Sequence, residues 1–539
     1  PMSATDLQLR RTFTTAAVQY ADHLRRSGRP DQAITVLSPV VKVAPDDALG
    51  WLVLGLSFAA REDLGNAASA LRQAVQFAPG RPEPWVALGR VLAERGIRDE
   101  PVACFRRALA CAPDHLEALV RLSTALLLRG DREGAIPLLD LALAQAPDHP
   151  GALAAWARLK LQERAPHEIY ERLQDVLEPH PDPPDPRLLA SVSRAAIALG
   201  DASRARPAVE RALTATTGRT DRLLLYHAQA ELCDAMGEVD EAWTAWRTAN
   251  ELRGSTFDPV THEAMVDSVI ERTRHVDFGP LPEQFDDRIV LAVGIPRSGS
   301  TLLEQALSRH PELVACGELE ALRDVAYAIP SRSECDWIDA LPRLTGGIVT
   351  PLKQTYVSAM LDAEAKAKRY LDKMPNNLLY LGLLARIAPG ARVIVVQRDS
   401  MAVGFSCYRM PFGPGQDWAT RLHDIGTFIR SANRLLDHWR AVLPLRFHTV
   451  DYDDLVTQPE AILGGVVDFL GLERHDDVFA PESAGRTAGT VSQLEVLQPI
   501  HQRSTKRWHA YAAHLEPLRV ALEPVEQRHP TPPGQAVAG

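Results

Sequence analysis

The stretch IVLAVGIPRSGSTLLEQALSRH, residues 289–310, decides the fold of the second half of this chain. It opens with a continuous apolar run rich in β-branched side chains, the pattern of a strand covered on both faces. Gly294 and Pro296 break the run, and from Ser300 the apolar residues return at the three-and-four spacing of a helix. Strand, tight loop and helix in that order set the helix N-terminus and its unpaired N–H groups over the end of the strand, which suits an anion. The loop Gly294–Thr301 keeps the frame of the nucleotide-binding loop GxxxxGK[ST], except that Ser300 stands where the lysine belongs. Without that charge the loop loses its hold on a triphosphate tail. Its backbone, with the hydroxyls of Ser298, Ser300 and Thr301, still suits one phosphate carrying a small anion, and Arg297 supplies a cation from inside the loop.

Two further apolar runs follow, ARVIVVQRD from Ala391 and a shorter one at Phe447–Val450. Alternation of buried strands with helices predicts a P-loop-like α/β domain with a parallel sheet over 289–525. Residues 526–539, rich in proline and glycine, are expected to form a disordered tail.

The first half has another logic. Ala-Pro pairs end at Pro45, Pro79, Pro113 and Pro147, at steps of 34 residues, which is the tetratricopeptide period. Gly28, Gly96 and Gly130 keep the same phase where two helices must turn, with Glu62 in the glycine's place in the second unit. Ala33, Ala67 and Ala135, and again Ala74, Ala108 and Ala142, mark sites where helices approach closely; Pro101 departs from the pattern. After Pro150 the period blurs, but Gly200 with Ala205 and Gly237 with Ala242 repeat the offset of Gly28 with Ala33. The expected organisation is a short segment 1–14, a tetratricopeptide helical array over 15–253, a linker over 254–288 that includes a helix, and then the α/β domain.

Composition narrows the partners. With 69 acidic and 59 basic residues the formal net charge is −10, which argues against a nucleic-acid binder and makes any anion site local. The six cysteines form no CxxC pair and the 17 histidines no ligand spacing, so neither a disulfide framework nor a metal is expected. His310 reads as a capping or surface residue. No window reaches the roughly 18 apolar residues of a membrane span and no signal-like run opens the chain, which sets a cytoplasmic expectation.

PRSGST followed by LLEQALSRHPELVACGE resembles the 5′-phosphosulfate loop of the sulfotransferases that use PAPS, 3′-phosphoadenosine 5′-phosphosulfate. Within them it is most similar to the tyrosylprotein sulfotransferases and their tetratricopeptide-bearing relatives. The resemblance implies that Arg297, Ser298, Gly299, Ser300 and Thr301 hold the phosphosulfate, and that Arg398 with Ser406 holds the 3′-phosphate. Ser400 lies where relatives often carry proline, and Arg409 falls one residue out of register. Tyr452 in YDDLV matches a tyrosine that lies against adenine. In TVSQLEVLQPIHQRSTKRWHAY, Ser492 and Arg507 match residues that return to the phosphosulfate, while Glu495 and Leu497 depart from the pattern.

For the chemistry, the resemblance implies that Glu318 of ACGELEAL is the general base, with Glu320 a rival, and that Lys373 of LDKMPNN contacts the bridging oxygen. Glu318, Lys373, Arg297 and Ser492 would then be the catalytic set, with 3′,5′-adenosine bisphosphate as product and no metal. The acceptor is a hydroxyl. The repeats leave open a peptide tyrosine, a glycan or small molecule, a protein partner or a second copy of the chain in a homodimer. A scaffold that holds nucleotide without chemistry is the competing class.

Overall fold

The computed structural model describes residues 4–97, 99–179, 183–279, 286–329, 336–344, 346–360, 367–413, 415–479 and 503–523. One compact unit takes in Pro1–Leu159 and Gly413–Gly415, the other Lys160–Phe412 and Gln416–Gly539. Among the described residues no helix is long and apolar enough to cross a membrane.

In the first unit, helices pack in antiparallel pairs: Ala4–Arg26 with Pro30–Val43, Ala48–Ala60 with Leu64–Phe77, Pro82–Glu94 with Asp99–Cys111, and Leu116–Leu128 with Arg132–Gln145. The recurring alanines Ala33, Ala67, Ala74, Ala108, Ala135 and Ala142 are all fully buried. Gly55 and Gly89, one period apart, allow a closer approach still. A Cβ on either would land 2.6 Å from Leu71 Cγ or Phe105 Cε1. The spaced prolines have a partner as well, because the Trp51 and Trp85 indoles donate to the carbonyls of Pro45 and Pro79 at 2.8 and 2.9 Å.

The turn between paired helices is left-handed at Gly28, Glu62, Gly96 and Gly130, with φ of 73, 61, 80 and 80°. In the second unit Arg164, one period beyond Gly130, has φ 58°, and Gly200 and Gly237 follow at 77 and 79°. The repeat turn therefore persists where the sequence period blurs, carried by an arginine that no glycine count reveals.

Five parallel strands form the sheet of the second unit: β1 Ile289–Gly294, β2 Leu313–Gly317, β3 Arg369–Asp372, β4 Arg392–Gln397 and β5 Arg446–Asp451, in the order β2-β3-β1-β4-β5. Alternate residues of the central strands feed two apolar layers. Leu291, Val293, Val393 and Val395 pack with Leu381, Leu384 and Trp439, whereas Val290, Ala292, Ile394 and Val396 pack with Leu303, Leu307, Val466 and Val467. The segment before Glu318, Leu313–Gly317, is strand β2. Both β2 and β3 escape the sequence pattern because they are short, and because β3 opens on Arg369 and closes on Asp372. Arg369 and Arg392 are accommodated at the amino edge by Asp287, at 3.2 and 3.1 Å.

A third apolar cluster joins the helices Arg219–Ala235 and Val239–Arg253 to the helix Ser400–Tyr408 and the turn Arg507–His514. Trp243 is sandwiched between Tyr408 and His514, with ring centroids 4.8 and 4.9 Å away. Trp246 meets Phe405 edge-on, and Asn250 Nδ2 donates to the Tyr408 carbonyl at 2.9 Å. The last repeat-like helices thus share a core with the α/β sheet's surroundings.

A non-glycine residue in the left-handed region costs roughly 1 kcal/mol, part of which glycine's larger unfolded-state entropy offsets. Glu62→Gly is therefore expected to stabilise the array by about 0.5 kcal/mol. A higher urea midpoint at unchanged slope is the signature; a lower midpoint would show that the exposed Glu62 side chain outweighs its backbone strain.

Candidate active site at the carboxyl edge of the sheet

Every strand hands the chain to a site residue as it ends. The loop Ile295–Gly299 follows β1, Glu318 follows β2, Lys373 follows β3, Arg398 follows β4 and Tyr452 follows β5. Parallel strands end on one edge of the sheet, which is where open α/β sheets take their ligands. Residues spread over 158 positions of sequence, 295–452, are gathered by topology alone.

The cradle is held open by backbone that side chains would close. A Cβ on Gly294 would lie 2.5 Å from the Val396 carbonyl oxygen of the neighbouring strand. At Gly299, where φ is 107°, it would run into the Tyr452 ring. Arg297 adopts φ 74°, an unfavourable conformation for a side-chain-bearing residue, as loops built around a ligand often require. That twist turns its carbonyl to accept from Arg398 Nη1 at 3.1 Å, while its own Nε donates to Ser406 Oγ at 3.0 Å. Arg398 lies over the face of Tyr452, 4.4 Å from the ring centroid. Arg297, Arg398, Ser406 and Tyr452 therefore form one assembly around the loop. Ser298, Ser300 and Thr301 are buried, and Ser298 Oγ has no hydrogen-bond partner among the described residues. An orphaned hydroxyl inside a loop of helix-start amides fits an anionic oxygen. A cavity of about 470 Å³ opens here, lined by Gly294, Ser298 and Arg398 with Asn433 and Asp437.

Beside the cradle, Lys373 is completely buried. Its Nζ lies 2.8 Å from Glu318 Oε1 and 3.5 Å from Glu304 Oε2. The chain is fixed there by the Lys373 N–H, which donates to the Gly317 carbonyl at 2.9 Å and ties the ends of β2 and β3 together. Glu304 comes from the helix Ser300–Leu307 that the cradle starts, and burial raises its carboxyl above the ordinary range, with Lys373 opposing. Next to Lys373, Asp372 Oδ2 accepts from the Tyr356 hydroxyl at 2.8 Å and from Asn377 Nδ2 at 2.9 Å. Burial pushes the Asp372 carboxyl up to about 7.

Glu320, the rival base, is engaged by Arg323 at 2.7 Å, whereas Glu318 faces Lys373. Arg507 forms an ion pair with Asp234 of the helix Arg219–Ala235, and the same carboxylate accepts from the Tyr511 hydroxyl at 2.6 Å. Ser400 begins a helix capped by Asp399, which accepts from the Ala402 N–H at 2.8 Å. Ser492, Glu495, Leu497 and the tail 526–539 lie outside the described residues. His310 is not a surface residue. It is buried, accepts from the Glu312 N–H at 3.1 Å and contacts the Glu473 carbonyl at 2.7 Å.

Sequence reasoning missed Glu304, Asp372 and Tyr356. The signal for Glu304 was present: in STLLEQAL it keeps company with the inward-facing Leu303 and Leu307, and a carboxylate so placed needs a buried cation. Asp372 and Tyr356 gave no such signal.

Parts of the chain match known families. Residues 290–477 match the model of the sulfotransferase family, and residues 20–82 and 86–150 that of the tetratricopeptide repeat. An uncharacterized protein of Aquifex aeolicus is 26% identical over 303 residues, covering 53% of this chain and 39% of that protein. This chain thus spans well under half of that relative's length. Protein-tyrosine sulfotransferase 2 of Gallus gallus is 25% identical over 285 residues, covering 45% of this chain and 73% of the relative. Among solved structures, the sulfotransferase domain from the Synechococcus PCC 7002 olefin synthase aligns at 24% identity and a TM-score of 0.32, covering 42% of this chain and 90% of that one.

The Asp372 carboxyl yields a stability prediction. Its folded value, about 7, lies above the unfolded value of 3.8, so between them the folded state holds a proton that the unfolded state has lost. This group's stabilisation is present at low pH and disappears as pH rises to 7. Asp372→Asn is expected to flatten the fall in stability between pH 4 and 7, a difference of the order of a few kcal/mol. Equal slopes for the two proteins in urea titrations across that range would refute the assignment.

Proposed function

Proceeding from a chain that carries a sulfotransferase-family segment and tetratricopeptide repeats, we propose that it moves a sulfuryl group from PAPS to a hydroxyl acceptor, with a protein tyrosine the favoured acceptor. The observation that carries this reading is the pair Glu318–Lys373, a carboxylate and a buried ammonium 2.8 Å apart on the same sheet edge as a phosphate cradle lacking the nucleotide-binding lysine.

In this reading the loop amides, Ser298, Ser300 and Thr301 receive the 5′-phosphosulfate, Arg398 and Ser406 the 3′-phosphate, and Tyr452 the adenine. The acceptor hydroxyl attacks sulfur in line, its proton passes to Glu318, and the bond from sulfur to the bridging oxygen breaks. The two charges are coupled. As Glu318 gains the proton its pull on Lys373 falls, and the ammonium's field turns to the charge growing on the departing phosphate. Arg297 helps to meet that charge. Arg507 would have to release Asp234 to join, and Ser492 completes the set that the resemblance implies. The helices Arg219–Ala235 and Val239–Arg253 brace the helix that carries Ser406, and the array recruits the acceptor or a protein partner.

Incubation with sulfur-labelled PAPS and a panel of tyrosine peptides, sugars and phenols tests the reading. Label on tyrosine peptides supports it, label confined to sugars or phenols moves the acceptor class, and bound nucleotide with no transfer favours a scaffold. Glu318→Ala is expected to slow turnover by roughly 100-fold or more while leaving affinity for the bisphosphate near wild type. Undiminished turnover in that variant would shift the base to Glu320.

A further inference from the structure

Lys373 serves two carboxylates at once. With Glu304 and Glu318 both ionised, the buried group carries a net charge of −1 directly beside the cradle. Bringing a phosphate to that place adds negative charge where water is excluded and opposing charges are weakly screened. One of the two carboxylates has to give way, and the geometry distinguishes them. Glu318 holds Lys373 at 2.8 Å and keeps 16% of its side chain exposed to water. Glu304 sits at 3.5 Å with 4% exposed, and its Oε2 has no hydrogen-bond partner among the described residues. The longer, drier and less satisfied carboxylate is the cheaper one to neutralise.

Resting on the reading of the cradle as a donor site, we propose that Glu304 is a positioning residue that takes up a proton from solvent when the donor or its bisphosphate product enters. Glu318 then remains the sole carboxylate on Lys373, and the ammonium's remaining field is directed at the ligand. The groups that face Glu304 fit this assignment. From the end of β2 come Glu318, Cys316 and the Gly317 N–H, and from the end of β3 come Lys373 and Asp372. Around Glu304, then, the Lys373 ammonium and the Gly317 N–H favour its charged form, while burial, Glu318 and Asp372 favour its neutral form. Burial already raises its carboxyl in the absence of ligand.

The test is calorimetric titration of the full chain with 3′,5′-adenosine bisphosphate, in buffers of low and high ionisation enthalpy, between pH 6 and 9. The bisphosphate's own phosphates lose protons on meeting cations, so net uptake has to come from the protein. Wild type is expected to take up close to one proton more per ligand than Glu304→Gln. Its Kd should rise by up to about tenfold per pH unit in the alkaline range, while that of the glutamine variant stays flatter and no weaker. Asp372→Asn should retain the uptake. Equal uptake by wild type and Glu304→Gln, or loss of uptake in Asp372→Asn instead, overturns the inference and leaves the function reading intact. Absence of bisphosphate binding by wild type at every pH overturns both. Should circular dichroism show that the glutamine variant does not fold, wild type and Asp372→Asn decide together: net uptake kept in both supports the inference, and net release by wild type at every pH, or uptake lost in Asp372→Asn, overturns it.

Discussion

The burial of one lysine organises the α/β unit. An ammonium taken fully out of water is tolerated only if opposite charges are brought to it, and Lys373 draws them from two directions: Glu318 from the end of β2 and Glu304 from the helix that leaves β1. With the backbone bond from Lys373 to Gly317, these contacts fix where β2 and β3 end relative to the cradle. Both strands are short and weakly patterned, so apolar burial alone would specify their placement poorly. The same contacts put a carboxylate and a cation side by side at the sheet edge. A structural need and a chemical opportunity are met by one arrangement.

Around that pair the loop after β1 is shaped by exclusion as much as by attraction. Gly294 and Gly299 are the two positions where a Cβ would collide with the Val396 carbonyl or with the Tyr452 ring, and Arg297 accepts a left-handed backbone between them. The resulting loop leaves Ser298 Oγ buried with no hydrogen-bond partner among the described residues, and lets the Arg297 carbonyl hold Arg398 while the Arg297 side chain reaches Ser406. Such pre-organisation places cations before any ligand arrives, so less reorganisation is needed when negative charge develops.

The helix that carries Ser406 is also the meeting point with the repeat-like helices. One face of Ser400–Tyr408 turns to Arg297, while Phe405 and Tyr408 pack on Trp246 and Trp243. Asp234, from the same pair of repeat-like helices, holds both Arg507 and Tyr511. Changes in those helices therefore have a direct physical route to the anion end of the site.

The sequence by itself determined the elements whose signals are local. A 34-residue period and its small residues specified paired helices, because close helix approach admits little else. The run 289–301 specified a strand, an anion loop and a helix, because backbone amides and glycines do the binding there. Arg297, Glu318, Lys373 and Arg398 were singled out through the family resemblance, which rests on short local motifs. What only the tertiary structure decided is whatever depends on neighbours distant in sequence. It made strands of the short β2 and of β3, whose ends are charged, kept a repeat turn at Arg164 without glycine, and gave Arg507 to Asp234. It also placed Glu304 against Lys373, 69 positions apart (373 − 304), and buried Asp372 with Tyr356. The physical reason is that a charge's partner and its exposure to water are properties of the packed interior, which no stretch of sequence contains.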